Sequence, residues 1–211
     1  MSLRVLILSG DEWHRAADVC RGFEAIGAAR FDFEFHNGDG QNELKHLTEF
    51  SIVVVAKINQ RSSKDKTPWL TAANQSTFRK FVRAGGGLFL IHGGTCCKDL
   101  PAMRGVAGGA FLSHPEQCVV TVEPKPGHPV THGVNSFSEK DEHYVMALDA
   151  TDVDVFLHSR SDHGVQPAGW TRTEGSGRVC ALTPGHNVEV WAHPDFRQLL
   201  TNSMKWLAKL N

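Results

Sequence analysis

The sequence predicts an α/β protein whose core is a mainly parallel β-sheet with helices on both faces. Short apolar runs alternate with helical stretches over the first half of the chain, and the run "SIVVVA" is continuous enough to be a strand buried on both faces. No linker, repeat or low-complexity segment interrupts the 211 residues. We therefore expect one domain that covers residues 1–211.

The first half of the chain predicts four strands and two helices. "LRVLIL" is the first strand, a helix follows around Ala16 to Ile26, and "FDFEF" is a second strand with alternating apolar residues. "SIVVVA" and "GLFLI" are the third and fourth strands. Between them, Thr71 to Arg83 predicts an amphipathic helix that ends at Gly85.

The second half of the chain is less regular. "QCVVTVE", "VDVFLH", "PAGWTR" and "RVCALT" predict strands, and we expect several of them to be antiparallel at one edge of the sheet. The last segment, Pro194 to Leu210, predicts a helix because proline is favoured in a first helical turn. The apolar residues expected to face the core from this helix are Phe196, Leu199, Leu200, Met204 and Leu207.

Composition argues against several classes of protein. The 22 basic and 23 acidic residues leave a formal charge of −1, and no basic stripe occurs, so we expect no nucleic-acid partner. The apolar runs are too short to cross a bilayer, and "MSLRVLILSG" is typical of a strand and turn rather than a cleavable signal. Five cysteines without CxxC spacing predict neither a disulfide framework nor a zinc ribbon. We expect a cytoplasmic protein without membrane association.

Histidines follow three of the predicted strands directly beyond their carboxyl ends. "SGDEWH" after the first strand ends in His14, His92 follows the fourth strand, and "PGH" after "RVCALT" ends in His186. Ligands of open parallel sheets bind beyond the carboxyl ends of the strands. We therefore expect these three side chains to meet at one edge of the sheet.

Other segments add candidate polar groups. "GGAFLSHP" contains His114, and the predicted loop "EKDEHY" contains Glu142 and Tyr144. Gly93 and Gly94 permit a sharp turn after the fourth strand and could expose backbone N–H groups to an oxyanion. Neither GxGxxG nor GxxxxGK[ST] occurs, so we expect no nucleotide cofactor.

Trp170 and Arg172 in "GWTRT" have two interpretations. They could form an apolar wall and a polar clamp for a sugar. Alternatively, the segment is an edge strand with one buried tryptophan. The sequence leaves both interpretations open.

At these residues the sequence resembles the trehalose-utilisation, ThuA-like family. The matching segments are "VLILSGDEWH", "FVRAGGGLFLIHGG", "GGAFLSHP", "GHPVTHGV", "DEHY", "GWTRTEGSGRV", "TPGH" and "HPDFRQLLTNSMKW". The resemblance implies the flavodoxin-like three-layer sandwich of class I glutamine amidotransferases. It also implies that His92 takes the corner of the amidotransferase cysteine, and that His186 lies near the position of the catalytic histidine. Because histidine cannot replace that nucleophile, glutaminase activity is not expected.

The function implied by the resemblance is an enzyme of carbohydrate metabolism, with a small-molecule carbohydrate as its partner. ThuA-like proteins are associated with disaccharide breakdown in which a partner dehydrogenase first oxidises a sugar hydroxyl to a ketone. A ketone at C3 acidifies the proton on C2, and loss of that proton can expel the group on C1. The expected catalytic residues are His92, Glu142 and His186. Neutral His92 or Glu142 would supply the base, and His186 or a divalent metal would stabilise the enediolate. The expected substrate-binding residues are His14, Gly93, Tyr144, Trp170 and Arg172.

Two alternatives stay open. The first is a metal-dependent hydrolase of another small molecule, in which His92, His114 and His186 hold Zn²⁺ or a similar divalent metal and Glu142 activates water. No HxxxH or HxH spacing supports that ligand set. In the second, a non-catalytic sugar-binding or regulatory module keeps the amidotransferase-like scaffold. The oligomeric state is also open, and a homodimer is one alternative.

Overall fold

The computed structural model describes residues 2–27, 30–38 and 42–210. The strands of the first half are β1 (Leu3–Ser9), β2 (Phe31–His36), β3 (Ile52–Ala56) and β4 (Gly87–Ile91). Those of the second half are β5 (Gly109–Ser113), β6 (Cys118–Pro124), β7 (Phe137–Asp141), β8 (Val145–Leu148), β9 (Asp154–Ser161), β10 (Gly164–Glu174) and β11 (Gly177–Leu182). The α-helices are α1 (Ala16–Ala25), α2 (Ala72–Arg83), α3 (Pro101–Ala107), α4 (Val188–Ala192) and α5 (Pro194–Leu207).

The described residues form one large sheet in the order β2-β1-β3-β4-β11-β10-β9-β6-β7. Strands β2, β1, β3, β4 and β11 are parallel to their neighbours in this half of the sheet. From β11 onward the pairs β11–β10, β10–β9, β9–β6 and β6–β7 are antiparallel. Strands β5 and β8 pair separately as a small antiparallel sheet. The predicted parallel core with an antiparallel extension is confirmed.

Both faces of the inner parallel strands β3 and β4 are buried, which explains their continuous apolar sequences. Ile52 and Val54 of β3 pack into one hydrophobic cluster, whereas Val53 and Val55 pack into the other. Residues of α1, α4 and α5 cover the first face, and residues of α2 and α3 cover the second. Because neighbouring side chains of a strand point to opposite faces, a strand between two helical layers must be apolar at every position.

The helix boundaries follow local signals in the sequence. The Thr71 side chain caps α2 by accepting a hydrogen bond from the backbone of Asn74, and Gly85, with φ of 117°, turns the chain into β4. Helix α5 begins at Pro194 as predicted but ends at Leu207, before the predicted end at Leu210. The sequence did not predict α3, α4, β5, β7 or β8, because each has only four to seven residues, too few for a clear period.

Among the described residues, no helix has the length and apolar character needed to cross a membrane.

Close packing of α1 against α4 leads to a test of stability. A Cβ atom on Gly22 would overlap the indole of Trp191, and that ring is buried and held by a hydrogen bond to the backbone of Gly185. We expect Gly22→Ala to lower the free energy of unfolding by about 1–3 kcal/mol, although alanine favours an isolated helix. Urea unfolding measures this change.

The matched control is Gly105→Ala in α3, where an added Cβ atom meets no other atom within 4 Å. Here the conformational preference acts alone, and we expect the free energy of unfolding to rise by about 0.5–1 kcal/mol. Equal effects of the two substitutions would contradict the role assigned to Trp191.

Candidate functional site

Three histidines meet beyond the carboxyl ends of the parallel strands. His14 follows β1, His92 follows β4 and His186 follows β11. The ring centroids are 4.9 Å apart for His14 and His92, 5.3 Å for His14 and His186, and 5.4 Å for His92 and His186. The structure therefore places these side chains in one cluster, although they are up to 172 positions apart in the sequence.

His92 occupies a strained corner at the end of β4. Its φ of 46° lies in the left-handed region, which residues other than glycine rarely adopt and which costs roughly 1–3 kcal/mol. A Cβ atom on Gly94 would overlap the carbonyl oxygen of Val55, and one on Gly93 would lie 2.9 Å from the His14 ring. The two glycines thus let the turn pack closely against β3 and His14.

The ring of His92 is held at both nitrogens. Its Nδ1 lies 2.7 Å from the carbonyl oxygen of Thr183, which can only accept, so Nδ1 carries the proton of the neutral ring. Its Nε2 then accepts from the Tyr144 hydroxyl at 2.9 Å and lies 3.3 Å from Glu142 Oε2. Burial raises the pKa of Tyr144 well above its ordinary value, so the phenol remains a donor. His92 is only 2% exposed and lies behind Tyr144.

Asp11 orients His14, a role that the sequence did not predict. The Asp11 carboxylate is 3% exposed, and Oδ2 lies 2.7 Å from Nδ1 of His14. The backbone N–H groups of Trp13 and Ile58 also donate to this carboxylate, at 2.8 and 2.9 Å. Because Nδ1 of His14 faces Asp11, its Nε2 lone pair is left for a ligand. The signal in the sequence was "DEWH", an aspartate three residues before a histidine in a turn.

The pKa values within this pair move in the same direction for different reasons. Burial raises the pKa of Asp11, but the hydrogen bond and the charge of His14 outweigh it, and the net pKa is lowered. Burial, together with the neighbouring His92 and His186, lowers the pKa of His14 more than Asp11 raises it. The pair therefore consists of a carboxylate and an imidazole that favours its neutral form.

Glu142 lies between the other side chains of the cluster. Its Oε1 is 3.2 Å from Nδ1 of His186 and 3.7 Å from Nε2 of His114, while its Oε2 faces His92. Partial burial raises the pKa of Glu142, but His186 and His92 outweigh it and hold that pKa well below its ordinary value. The Glu142 carboxylate in turn raises the pKa of His186. Since Nδ1 of His186 has no aligned hydrogen-bond partner, this contact is an electrostatic attraction.

A buried carboxylate also positions His186. Asp141, the last residue of β7, accepts hydrogen bonds from the backbone N–H groups of Gly185 at 2.8 Å and His186 at 2.9 Å. The carbonyl of Gly185 accepts from the indole N–H of Trp191 at 2.8 Å. The turn after β11 is thereby held between β7 and α4.

A cavity of about 600 Å³ opens beside this cluster. His14, Glu142, Tyr144 and His114 line it, whereas His92 lies deeper in the protein. Its volume is typical of sites for small molecules, which range from about 300 to 1,000 Å³. The reactive groups that a ligand can reach directly are thus His14 and Glu142.

Trp170 and Arg172 lie outside this cavity, which corrects the expectation that they bind a sugar. Trp170 is fully buried, and its indole N–H donates to the carbonyl of Ala107 at 2.8 Å. The Arg172 guanidinium is bound by Asp152 and by the carbonyl of Gly105. The alternative of a buried tryptophan is closer to the structure, but β10 lies between β9 and β11 rather than at the sheet edge.

His114 lies at the rim of the cavity rather than in the cluster. Its side chain is 37% exposed, and its Nδ1 lies 2.7 Å from the carbonyl oxygen of Pro115. The side chains that could hold a metal ion together have ligand atoms within 4.8 Å of one another: His14, His92, Glu142 and His186. Geometry therefore favours His14 and Glu142, in place of His114, as candidate ligands beside His92 and His186.

A family model described as "ThuA: Trehalose utilisation" matches residues 4–207. The chain belongs to the ThuA family. This membership implies a role in carbohydrate metabolism and confirms the resemblance seen in the sequence. No curated protein gives a significant sequence match.

Solved structures with the same fold include two ThuA-like proteins. The one from Parabacteroides merdae has a TM-score of 0.79 at 18% identity, over 99% of this chain and 90% of that chain. The one from Bacteroides uniformis has a TM-score of 0.76 at 20% identity, over 97% and 91%. A Thermoplasma acidophilum protein described as part of a GMP synthase has a TM-score of 0.62 at 13% identity, over 99% and 96%. These likenesses concern the fold alone, and they confirm the amidotransferase-like sandwich predicted for this ThuA protein.

Cys96 and Cys97 lie beside the ThuA site, and burial makes their thiols unreactive. Burial raises the pKa values of Cys96 and Cys97 to about 12, so at pH 8 only about one thiol in 10⁴ is ionised. Both are free thiols, as are the other cysteines of the chain, which confirms the prediction of no structural disulfide. We expect iodoacetamide at pH 8 to leave both unlabelled in the native protein and to label both in urea, as measured by peptide mass spectrometry. Rapid native labelling would contradict the burial argument.

Replacing Asp11 by asparagine tests its role in orienting His14. Oδ1 of Asp11 accepts from the backbone N–H groups of Trp13 and His14, whereas Oδ2 accepts from Ile58 and faces Nδ1 of His14. We therefore expect the asparagine NH₂ to take the place of Oδ2, where it leaves the N–H of Ile58 unpaired and donates to Nδ1 of His14. We expect His14 to shift from the Nδ1–H to the Nε2–H tautomer, and the unpaired N–H to cost about 1–3 kcal/mol of stability. Histidine ¹⁵N NMR and urea unfolding measure the two effects.

Asp65→Asn is the matched control, because the Asp65 side chain is 47% exposed and its carboxylate also accepts a hydrogen bond from its own loop. An unchanged His14 tautomer in Asp11→Asn would show that Asp11 does not orient this ring.

Proposed function

We propose that the protein is a cytoplasmic enzyme that cleaves a keto-glycoside by removing the proton next to the ketone. The observation that supports this most is the Asp11-oriented His14 beside the Glu142–His186 pair, at an open cavity. Membership of the ThuA family supports a carbohydrate as the substrate. Five free thiols, the state that a reducing compartment maintains, support the cytoplasmic location.

His14 is the proposed general base. Its Nδ1 is engaged by Asp11, so the Nε2 lone pair is the one that a substrate proton can reach. This geometry resembles the histidine–carboxylate pairs in which an aspartate holds the imidazole in the tautomer needed for proton transfer. The carboxylate of Asp11 also stabilises the imidazolium that forms when His14 takes a proton.

The proposed reaction is an elimination from a glycoside with a ketone at C3. The C2–H bond breaks, its proton goes to Nε2 of His14, and its electron pair forms the enolate between C2 and C3. The enolate then forms the C1=C2 double bond as the C1–O bond breaks, and the His14 imidazolium returns the proton to the leaving oxygen. The products are an unsaturated keto-sugar and an alcohol. The step consumes no oxidant, because a separate oxidation has already made the ketone.

His186 and Glu142 supply the electrostatics of this step. Glu142 raises the pKa of His186, so a cationic ring is available over more of the neutral range. Because His186 does not line the cavity, this charge stabilises the enolate oxygen through space rather than by direct contact. Glu142 holds that ring in place at 3.2 Å. His92, which the sequence suggested as the base, is given a positioning role here, because both of its nitrogens face protein groups and Tyr144 covers it.

A divalent metal fits the same residues and favours a second candidate function. Nδ1 of His14 and Nδ1 of His92 each face an oxygen acceptor, as outer partners of metal-binding histidines do, and Nδ1 of His186 is buried without an aligned partner. Three imidazoles and one carboxylate suit Zn²⁺ or a similar ion, and His92 would bind it through Nε2 in place of the hydrogen bond from Tyr144. Such an ion would stabilise negative charge on oxygen or activate water. The second candidate is therefore a metal-dependent glycoside hydrolase that needs no ketone.

Proton exchange at C2 separates the two candidates. In deuterated water, we expect the protein to exchange the C2 proton of a methyl 3-keto-glucoside and to release methanol, both followed by NMR. His14→Ala should lower the rate by about 10²–10⁴-fold, the usual contribution of a positioned base. His163→Ala, an exposed histidine on the turn between β9 and β10, is the control and should keep full activity.

Equal cleavage of unoxidised methyl glucoside, together with one metal ion per chain by elemental analysis, would replace this proposal with the hydrolase. Binding of the keto-glucoside without exchange or cleavage would favour the non-catalytic sugar-binding module.

A further inference from the structure

The outer wall of the cavity is apolar, unlike its floor. Trp13, Ile58, Leu100 and Phe111 line this wall, whereas His14 and Glu142 lie at the floor. The exposed charged side chains of Lys98 and Asp99 complete the mouth. A ligand that touches the floor and fills the cavity must therefore place a second group against the apolar wall.

Trp13 is the most unusual member of this wall. Its side chain is 61% exposed, although Trp69 and Trp170 are fully buried. Its backbone N–H donates to Asp11 at 2.8 Å, so the same carboxylate that orients His14 also anchors the chain at Trp13. A large aromatic ring left in water beside a cavity is typical of a binding surface.

The wall offers few partners to hydroxyl groups. Oδ1 of Asn59 already accepts hydrogen bonds from the backbones of Trp69 and Leu70, at 3.0 and 2.7 Å. Cys96, which also faces the cavity, has only a weakly polar thiol near the Tyr144 hydroxyl. A second sugar ring could reach Lys98 and Asp99 at the mouth. Its hydroxyl groups against Trp13, Ile58, Leu100 and Phe111 would nevertheless lose water without equivalent hydrogen bonds in return, which is unfavourable.

We propose that this wall binds the leaving group of the glycoside, and that the leaving group is an aromatic or alkyl aglycone rather than a second sugar. The inference rests on the proposed function only in assigning the sugar itself to the floor. It makes Trp13 a specificity-determining residue, whose ring stacks on the aglycone while His14, one residue later, faces the sugar.

Binding of unoxidised ligands tests this inference without any turnover. By isothermal titration calorimetry, we expect phenyl glucoside to bind about tenfold or more tightly than methyl glucoside or trehalose, as apolar pockets discriminate by such factors. Trp13→Ala should remove this preference by weakening phenyl glucoside alone, and Trp13→Phe should keep most of it. Val119→Ala, at an exposed apolar residue of β6 outside the cavity, is the control and should change nothing.

Trehalose that binds as tightly as phenyl glucoside, or a phenyl preference that survives Trp13→Ala, would overturn the inference. Absence of measurable phenyl glucoside binding would overturn it as well. None of these results depends on C2 exchange, so failure of the elimination mechanism and failure of the aglycone assignment are distinguishable.

Discussion

The parallel pairing of β1, β3, β4 and β11 is the constraint on which the site depends. In this register Ser9 pairs with Ala56, Val55 with Leu90, and Ile91 with Leu182. The chain therefore leaves β1, β4 and β11 at one level of the same edge. Each strand is followed by a tight turn, and each turn carries a histidine. The large apolar core keeps these corners rigid, which holds reactive side chains more accurately than a mobile loop does.

Charge balance within the cluster is a second constraint. Two carboxylates, Asp11 and Glu142, lie among three imidazoles in a largely buried region. A buried charge is costly unless partners compensate it. Hydrogen bonds from backbone N–H groups and from His14 stabilise Asp11, and the cationic form of His186 stabilises Glu142. The same pairing divides the histidines into different states. His14 favours the neutral form, and His186 favours the charged form. Two neighbouring rings with opposite tendencies suit a site that both takes a proton and stabilises negative charge.

Groups outside the cluster decide which nitrogen of each ring is reactive. Asp11 orients His14, and the carbonyl of Thr183 orients His92. Both acceptors come from turns at the same strand ends, so the fold that assembles the histidines also sets their tautomers. The strained backbone of His92 places its buried ring between Thr183 and Tyr144, which agrees with a positioning role rather than direct contact with a ligand.

The sequence by itself determined the parallel sheet, the helices α1, α2 and α5, and the strand ends that carry His14, His92 and His186. Those features are local, because continuous apolar runs, capping residues and glycine turns act over a few neighbouring positions. The roles of Asp11, Trp13 and Thr183 were not predicted, since a turn aspartate, an exposed tryptophan and a backbone carbonyl have no distinctive pattern.

Only the tertiary structure decided which distant residues join the site. Glu142 enters it from the end of β7, a short strand that the periodicity did not predict. Trp170 is excluded because β10 lies inside the sheet, and His114 stays at the rim because it follows β5, a strand of the separate small sheet. Strand order depends on the packing of the whole chain, and pairing between distant segments cannot be inferred from the apolar pattern of any one of them.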